Sequence, residues 1–170
     1  MPSSAARPPL KVDLRPVTDE DYAFAERLYV ETMRPLLQRL EAWDEADVLG
    51  RFRTSFDVTQ VRIIRVDGKD AGFVQTSETD AEINLDQIHL LRTYRSRGIG
   101  RQLIGDLQRA ATAKSKALSL AVVRGNRALA LYQRLGFIIV SEDATKLYMR
   151  YVGSEPEPPT STCCPNHPEQ

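Results

Sequence analysis

A short glycine-containing segment near the middle of the chain has the residue types of an anion-binding loop. The segment from Tyr94 to Gly100 reads YRSRGIG and contains the pattern R-x-x-G-x-G, formed by Arg95, Gly98 and Gly100. It follows a strand-like run and precedes a helix-like run. Glycine lets the backbone turn its amides toward a ligand without interference from a Cβ atom, and a helix N-terminus attracts phosphate groups. The segment therefore predicts a site for a phosphate or pyrophosphate.

Hydrophobic spacing predicts the elements that precede this loop. KVDLRPV alternates as a strand does, and Thr18 with Asp21 forms a capping-box pattern for a helix through about Met33. Pro35 is expected to end or kink that helix. A second helix is expected over about residues 45–56. The runs VRIIRV and AGFVQT, joined by an Asp-Gly turn, are typical of a β-hairpin.

The strand expected over about residues 82–91 contains an irregularity. Its apolar residues fall in two opposite phases of the alternation, Ile83 with Leu85 and Ile88 with Leu90. A one-residue change of phase moves side chains to the other face of a sheet, and an inserted residue is its usual cause. The pattern therefore predicts a bulge near Asp86 and Gln87.

After the loop, the pattern predicts a helix from Ile99 to about Ala117, a buried strand LSLAVV, and a helix from about Asn126 to Leu135 that Gly136 closes. FIIV and KLYMRY complete a strand pair. The resulting order is β-α-α-β-β-β-α-β-α-β-β. It predicts an α/β (α+β) fold with a single mixed central β-sheet flanked by helices, in which the central strand-helix-strand unit forms a parallel pair.

Charge and composition limit the classes of function. Lysine plus arginine and aspartate plus glutamate each number 23, so no overall attraction to nucleic acid or to an anionic membrane is predicted. One domain is expected at residues 10–152, between a disordered lead at 1–9 and a disordered Pro-rich tail at 153–170. Because neither a membrane-spanning run nor a secretory signal is evident, we expect a cytoplasmic protein. Cys163, Cys164 and His167 lack a fourth ligand, so no metal is predicted.

Two blocks of the sequence resemble the GCN5-related N-acetyltransferase superfamily, the GNAT fold. The first block, IHLLRTYRSRGIGRQLI, resembles the family's fourth strand, pyrophosphate loop and following helix. The second block, VVRGNRALALYQRLGF, resembles its fifth strand and fourth helix. With the hairpin before and the strand pair after, the resemblance covers about residues 10–151. It implies that the co-substrate is acetyl-CoA.

The resemblance also implies which residues bind the cofactor. Backbone amides from Arg97 to Arg101 are expected to hold the pyrophosphate, and the main chain of Leu90 and Leu91 is expected to pair with the pantetheine arm. Asn126 is either a CoA contact or a helix N-cap. The full expected set is Ile88, Leu90, Leu91, Arg95, Arg97, Gly98, Ile99, Gly100, Arg101, Asn126 and Tyr132.

Acetyl transfer to an amine also requires acid-base groups. An oxyanion donor is expected from an amide that the bulge frees from strand pairing near Ile88. Tyr132 matches the tyrosine that many family members use as the general acid toward the CoA thiolate, and the alternative is a ring that only packs in the core. A phenol stays protonated at pH 7, which suits a proton donor.

The general base has several candidates. Asp86 lies near the position where the related arylalkylamine acetyltransferases place a proton-relay histidine, so it is a candidate base or water relay. Glu31 and Glu45 flank the expected acceptor cleft, and each of these carboxylates could instead be a solvated surface group. His89 falls on the strand face opposite Ile88 and Leu90, which favours a packed or surface histidine.

Together these features predict an N-acetyltransferase that moves an acetyl group from acetyl-CoA to a primary amine by direct attack in a ternary complex. A small-molecule acceptor is preferred, because no strongly charged run suggests a protein or nucleic-acid partner. One alternative is a protein N-terminus or lysine as the acceptor. Another is a catalytically weak acyl-CoA-binding sensor. A homodimer is also considered, since GNAT dimers are common.

Overall fold

The computed structural model describes residues 7–153, which form one seven-stranded sheet flanked by helices. The strands are β1 (Val12–Pro16), β2 (Val61–Val66), β3 (Lys69–Glu78), β4 (Glu82–Leu90), β5 (Ala117–Val123), β6 (Ile138–Glu142) and β7 (Lys146–Tyr151). The helices are α1 (Asp21–Arg39), α2 (Glu45–Ser55), α3 (Ile99–Ala113) and α4 (Ala128–Arg134), with a 3₁₀ turn at Arg92–Tyr94. The strand order in the sheet is β1-β2-β3-β4-β5-β7-β6. The predicted order of elements and the mixed sheet are confirmed.

The hairpin of β2 and β3 is closed by a two-residue turn. Asp67 and Gly68 both have positive φ values, 51° and 80°, and they connect the paired residues Val66 and Lys69. A turn with two positive φ values matches the twist of the flanking strands. The predicted hairpin is therefore confirmed at the Asp-Gly position.

The strands β4 and β5 are parallel for only part of their length. Their pairing runs from Glu82 opposite Ala117 to Leu85 opposite Leu120, and it goes no further. Beyond this point β5 still pairs with β7, and β4 still pairs with β3. The sheet consequently opens at the carboxyl ends of its two central parallel strands, a position where α/β proteins bind ligands.

The predicted bulge lies at the point where this opening begins. Gln75 of β3 pairs with Gln87, whereas the next residue, Thr76, pairs with Leu85, so Asp86 is the extra residue. All four apolar residues of the two phases pack on the same core as a result: Ile83, Leu85, Ile88 and Leu90. The change of phase in the sequence thus identified a real bulge.

Each face of the sheet has its own apolar cluster. The face that carries α3 and α4 buries the larger cluster, which includes Ile99, Leu103, Leu118, Leu120, Tyr132 and Met149. The face under α1 and α2 buries Ala25, Leu28, Phe52, Val61, Ile63 and Phe73. Side chains alternate between the two faces of a strand. The position of a residue along β4 therefore decides whether its side chain packs in the larger cluster or points toward α1 and α2.

Helix boundaries differ from the sequence expectations at three places. α1 does not stop near Pro35 but continues to Arg39, because Leu36 and Leu37 pack in an apolar cluster with α2 and β5. α3 ends at Ala113 rather than about Ala117, where Ser115 takes a positive φ of 56°. α4 begins at Ala128, two residues later than expected.

Several features expected from the sequence lie outside residues 7–153. Apart from residues 7–9 and Gly153, the segments expected to be disordered lie outside residues 7–153, as do Cys163, Cys164 and His167. Within residues 7–153, no group of three potential metal ligands is found. No helix in that range has both the length and the apolar character required to cross a membrane.

Candidate active site

A cavity of about 710 Å³ occupies the opening between β4 and β5. β4 lines it from Leu85 to His89, and β5 lines it from Leu120 to Val123. α4 contributes Tyr132, and α1 and α2 contribute mainly apolar residues, among them Tyr29 and Phe52. The volume lies in the range of small-molecule sites, roughly 300–1,000 Å³.

The glycine-containing loop follows β4 directly and leads into α3. Within residues 7–153, none of the five amide N–H groups from Arg97 to Arg101 donates to a backbone or side-chain acceptor. Gly98 has a φ of 80° and forms the N-cap of α3, and a Cβ atom there would contact no other residue of the described range within 4 Å. Gly100 has an ordinary φ, and a Cβ atom would lie 3.6 Å from Leu131 Cδ2. The fold alone therefore requires glycine at Gly98 but not at Gly100.

Arg95 connects this loop to two other elements. Its Nε donates to the carbonyl of Leu90 at 2.8 Å, and its Nη2 donates to Thr32 Oγ1 of α1 at 3.3 Å. Arg97 extends over the ring of Tyr94, with 5.8 Å between the guanidinium carbon and the ring centroid. These contacts fix the loop beside the end of β4 and leave its unpaired amides at the start of α3.

The main-chain groups of Leu91 are already used within the protein. Its N–H donates to the carbonyl of Ala71 at 2.8 Å, and its carbonyl accepts from the N–H of Tyr94 at 2.9 Å. A carbonyl oxygen has two lone pairs, so one acceptor position remains at Leu91. The carbonyl of Leu90 accepts from Arg95 and likewise has one acceptor position left. Ile88, which the sequence suggested as a free amide, is in register with Val74 of β3 and faces no β5 partner.

Tyr132 is the buried phenol of the cavity. Its residue is 6% exposed, and its ring packs against Phe137 with 5.8 Å between centroids. Burial raises the pKa of Tyr132 to about 12. Its hydroxyl has no hydrogen-bond partner among residues 7–153 and is therefore available to a ligand. The two sequence interpretations of Tyr132 are compatible, because the ring packs in the core while the residue also lines the cavity.

Asp86, the extra residue of the bulge, places a carboxylate on the cavity lining. Desolvation raises the pKa of Asp86, and a hydrogen bond with the Ser77 side chain partly offsets this effect. A carboxylate with a raised pKa is a stronger proton acceptor than an ordinary surface aspartate. Asp86 therefore has both the location and the chemistry of a base or a water relay.

His89 lies on the opposite face of β4 from Ile88 and Leu90, as the alternation predicted. It is buried between Tyr29 and Phe73, at centroid distances of 5.5 Å and 5.1 Å. Burial lowers the pKa of His89 to about 4, with a smaller contribution from the charge of Arg95. The imidazole is consequently neutral at pH 7.

The remaining candidates lie elsewhere or have structural partners. Glu31 is exposed on α1 and does not line the cavity. Glu45 pairs with Arg34 at 3.0 Å, and Arg34 also stacks over Trp43. Asn126 lines the cavity, and its Oδ1 accepts from the N–H of Ala128 at 2.9 Å, as a helix cap does.

Sequence reasoning did not identify two glutamines that line the cavity, Gln75 and Gln87. Gln75 is 3% exposed and lies opposite Gln87 across β3 and β4. The available signal for Gln75 was its place directly after the apolar run AGFV within a predicted strand. Buried polar side chains are uncommon unless they form hydrogen bonds or bind a ligand.

Comparison with known proteins agrees with this fold. The family model described as "Acetyltransferase (GNAT) domain" matches residues 57–139, a range that holds the hairpin, the bulge, the loop and Tyr132. No curated protein gives a significant match to the sequence.

Solved structures with a similar fold include three N-acetyltransferases or acetyltransferases. PaiA N-acetyltransferase from Thermoplasma acidophilum, in complex with coenzyme A, is 16% identical at a TM-score of 0.64, covering 84% of this chain and 99% of that one. An acetyltransferase from Thermus thermophilus is 19% identical at a TM-score of 0.63, covering 84% and 97%. An N-acetyltransferase from Staphylococcus aureus is 19% identical at a TM-score of 0.59, covering 81% and 98%.

Proposed function

Because this chain belongs to the GNAT acetyltransferase superfamily, we propose that it transfers an acetyl group from acetyl-CoA to a primary amine of a small molecule. The observation that carries the proposal is the set of five amides from Arg97 to Arg101, which have no acceptor in the described part of the chain and follow the strand that lines the cavity. Unpaired amides at a helix N-terminus form a site for a diphosphate.

The loop fits the pyrophosphate of acetyl-CoA. The amides of Arg97 to Arg101, including those of Gly98, Ile99 and Gly100, would donate to its oxygens. The absence of side chains at the two glycines leaves room for close approach. Arg95 would act by holding the loop against Leu90. For the pantetheine arm, main-chain groups would be offered by Ile88 and Leu90 at the end of β4 and by Leu91, the residue that follows it. The chief groups are the second lone pairs of the Leu90 and Leu91 carbonyls.

Bound acetyl-CoA supplies the thioester carbonyl that the amine attacks. An alkylamine has a reference pKa of about 10.4 and must lose a proton before the attack. Asp86, whose pKa is raised, would accept this proton directly or through water. Tyr132, protonated at pH 7 and without a hydrogen-bond partner in the described part of the chain, would donate a hydrogen bond to the departing sulfur.

The cavity favours a small-molecule acceptor. Elements on several sides line it, and its volume suits a ligand of modest size. A protein N-terminus or lysine would have to insert into the same space, and this remains the first alternative. An acyl-CoA-binding sensor is the second alternative, because a protein can bind CoA through this loop without catalysing acetyl transfer.

Calorimetric titration with acetyl-CoA, coenzyme A and ATP, followed by thiol release against a panel of amines, tests the proposal. We expect micromolar binding of acetyl-CoA and amine-dependent release of thiol. Binding without release from any amine would favour the sensor, and absence of binding to coenzyme A would refute the role of the loop.

Gly100→Ala isolates the loop contribution. Alanine meets only Leu131 at 3.6 Å and suits a helix better than glycine by up to about 1 kcal/mol, so the fold is retained. The added methyl would obstruct the diphosphate, and affinity for acetyl-CoA should fall about tenfold or more. Gly50→Ala is the matched control, because Gly50 lies in α2, away from the loop, and a Cβ atom there would contact no other described residue within 4 Å. Equal affinity in both variants would contradict the proposed cradle.

A further inference from the structure

Three buried polar atoms in the cavity have no hydrogen-bond partner. They are Gln75 Oε1, Gln87 Oε1 and His89 Nδ1, and none of them meets a donor among residues 7–153. All three residues line the cavity, and they are called the polar wall below. Gln75 is 97% buried and His89 is 92% buried, since their exposed fractions are 3% and 8%. Buried polar atoms without partners are rare, because each is costly to remove from water.

The polar wall is a compact surface. Gln75 and Gln87 are direct register partners on β3 and β4, so their Cβ atoms are about 5 Å apart. His89 lies two residues beyond Gln87 and therefore on the same face of β4. This face looks toward α1 and α2, where Tyr29 packs on the imidazole.

The orientation of Gln75 is fixed by its neighbours. Its Nε2 donates to the carbonyl of Ser55 at 2.8 Å and to Gln60 Oε1 at 3.3 Å. Both of these atoms are acceptors, so the amide nitrogen must point to them and the oxygen must point away. The oxygen of Gln75 is thereby presented as an acceptor.

The polar wall carries no charge. Its two carboxamides are neutral, and the low pKa of His89 keeps the imidazole neutral at pH 7. The nearest charged groups of α2 that line the cavity, Asp47 and Arg51, pair with each other at 2.9 Å. The wall itself would give a cation no counter-charge, and burial of an unpaired cation is unfavourable. Asp86, the carboxylate next to Gln87 on the lining, is assigned to the reacting amine. An apolar group would leave the Gln75 oxygen and the other two polar atoms of the wall unpaired.

We infer that the polar wall binds an uncharged hydrogen-bond donor of the acceptor substrate, a hydroxyl or carboxamide group carried on the same molecule as the reacting amine. This inference rests on the proposed function and defines its substrate class. The reacting amine lies toward Asp86 and Tyr132, and the neutral donor group lies toward Gln75, Gln87 and His89. Amines with a purely apolar or a second cationic end are disfavoured.

Calorimetric titrations with three probes of equal length test the assignment: an ω-amino alcohol, the n-alkylamine with a methyl in place of the hydroxyl, and the α,ω-diamine. Each set is measured at several chain lengths, with and without coenzyme A. At the best length we expect the amino alcohol to bind roughly tenfold to a hundredfold more tightly than the alkylamine. The diamine should bind no better than the alkylamine. Equal affinities for alcohol and alkylamine at every length would overturn the inference.

Substitutions at Gln87 give the decisive comparison, because its side chain makes no hydrogen bond with the described residues. Gln87→Met should bring the affinities of alcohol and alkylamine to within about threefold of each other. Gln87→Glu should make the diamine the tightest probe by supplying a counter-charge. Gln38→Met, an exposed residue of α1 outside the cavity, is the control and should keep the wild-type ranking.

The outcome is separable from that of the proposed function. Thiol release from acetyl-CoA tests the transferase, whereas the ranking of the three probes by affinity tests the polar wall without turnover. An unchanged preference for the alcohol in Gln87→Met would refute the wall even in an active transferase. If the wild-type protein prefers the amino alcohol and Gln87→Met abolishes that preference, the polar wall is supported even if no thiol is released.

Discussion

Replacing Tyr132 with phenylalanine separates its catalytic contribution from its packing. The ring would keep its contact with Phe137 at 5.8 Å. The hydroxyl has no partner among residues 7–153, so no protein hydrogen bond is lost. We therefore expect the free energy of unfolding to change by less than about 1 kcal/mol.

The magnitude of the effect on turnover follows from the pKa. Burial raises the pKa of Tyr132 to about 12, whereas a thiol has a reference value of about 8.5. A difference of about 3.5 units makes complete proton transfer from tyrosine to thiolate unfavourable by about 5 kcal/mol. The hydroxyl should instead stabilise the departing thiolate through a hydrogen bond to a charged acceptor, which contributes about 1.5–3 kcal/mol. Tyr132→Phe should then lower kcat about 10- to 150-fold.

Thiol release under single-turnover conditions, with saturating acetyl-CoA and the best amine, measures this effect. Tyr148→Phe is the control, because Tyr148 lies on β7 outside the cavity and, among residues 7–153, its hydroxyl bonds only to Asp143. A loss of less than twofold in Tyr132→Phe would show that the hydroxyl does not reach the sulfur. A loss above about 10⁴-fold would show full proton transfer and refute the argument from the pKa.

Three further changes test positions around the cavity. Gly72→Ala should destabilise the fold by about 3 kcal/mol or more in urea denaturation, because its Cβ would lie 2.0 Å from the carbonyl oxygen of His89. The folded pKa of His89 is lowered from 6.5 to about 4, so the unfolded chain binds a proton first as pH falls. The free energy of unfolding of the wild type should fall by up to about 3 kcal/mol between pH 6.5 and pH 4. In urea denaturation, His89→Gln should not show this pH-dependent loss. Asn126→Asp keeps an acceptor for the N–H of Ala128 and should retain stability. As a contact of the negatively charged cofactor, the new carboxylate should weaken binding of acetyl-CoA about tenfold in calorimetry. An unchanged affinity would leave Asn126 a helix cap only.

The sequence predicted those features that leave a local signal. Two positive φ values at Asp67 and Gly68 follow from an Asp-Gly turn, and the phase change at Asp86 follows from a two-residue period. The helix beyond Pro35 had no such signal. Its continuation depends on burial of Leu36 and Leu37 against distant residues, which outweighs the single backbone hydrogen bond that proline removes.

The sequence could not predict which side chains line the cavity or which polar atoms have hydrogen-bond partners. Glu31 and Asp86 are both carboxylates near expected functional elements, yet only Asp86 lines the cavity. Gln75 is a polar residue in a strand, and nothing local reveals that its amide nitrogen is bound by Ser55 while its oxygen is unpaired. These distinctions arise from contacts between residues far apart in the chain.

The inserted residue at Asp86 explains how one strand serves two environments. Side chains alternate between the faces of a strand, so an unbroken β4 that buried Ile83 and Leu85 would send Gln87 and His89 into the same core. The bulge reverses the phase, which returns Ile88 and Leu90 to that core and directs the polar pair into the cavity. It also coincides with the last residue pair between β4 and β5. One extra residue therefore links the opening of the sheet, the position of the candidate base and the polar lining of the cavity.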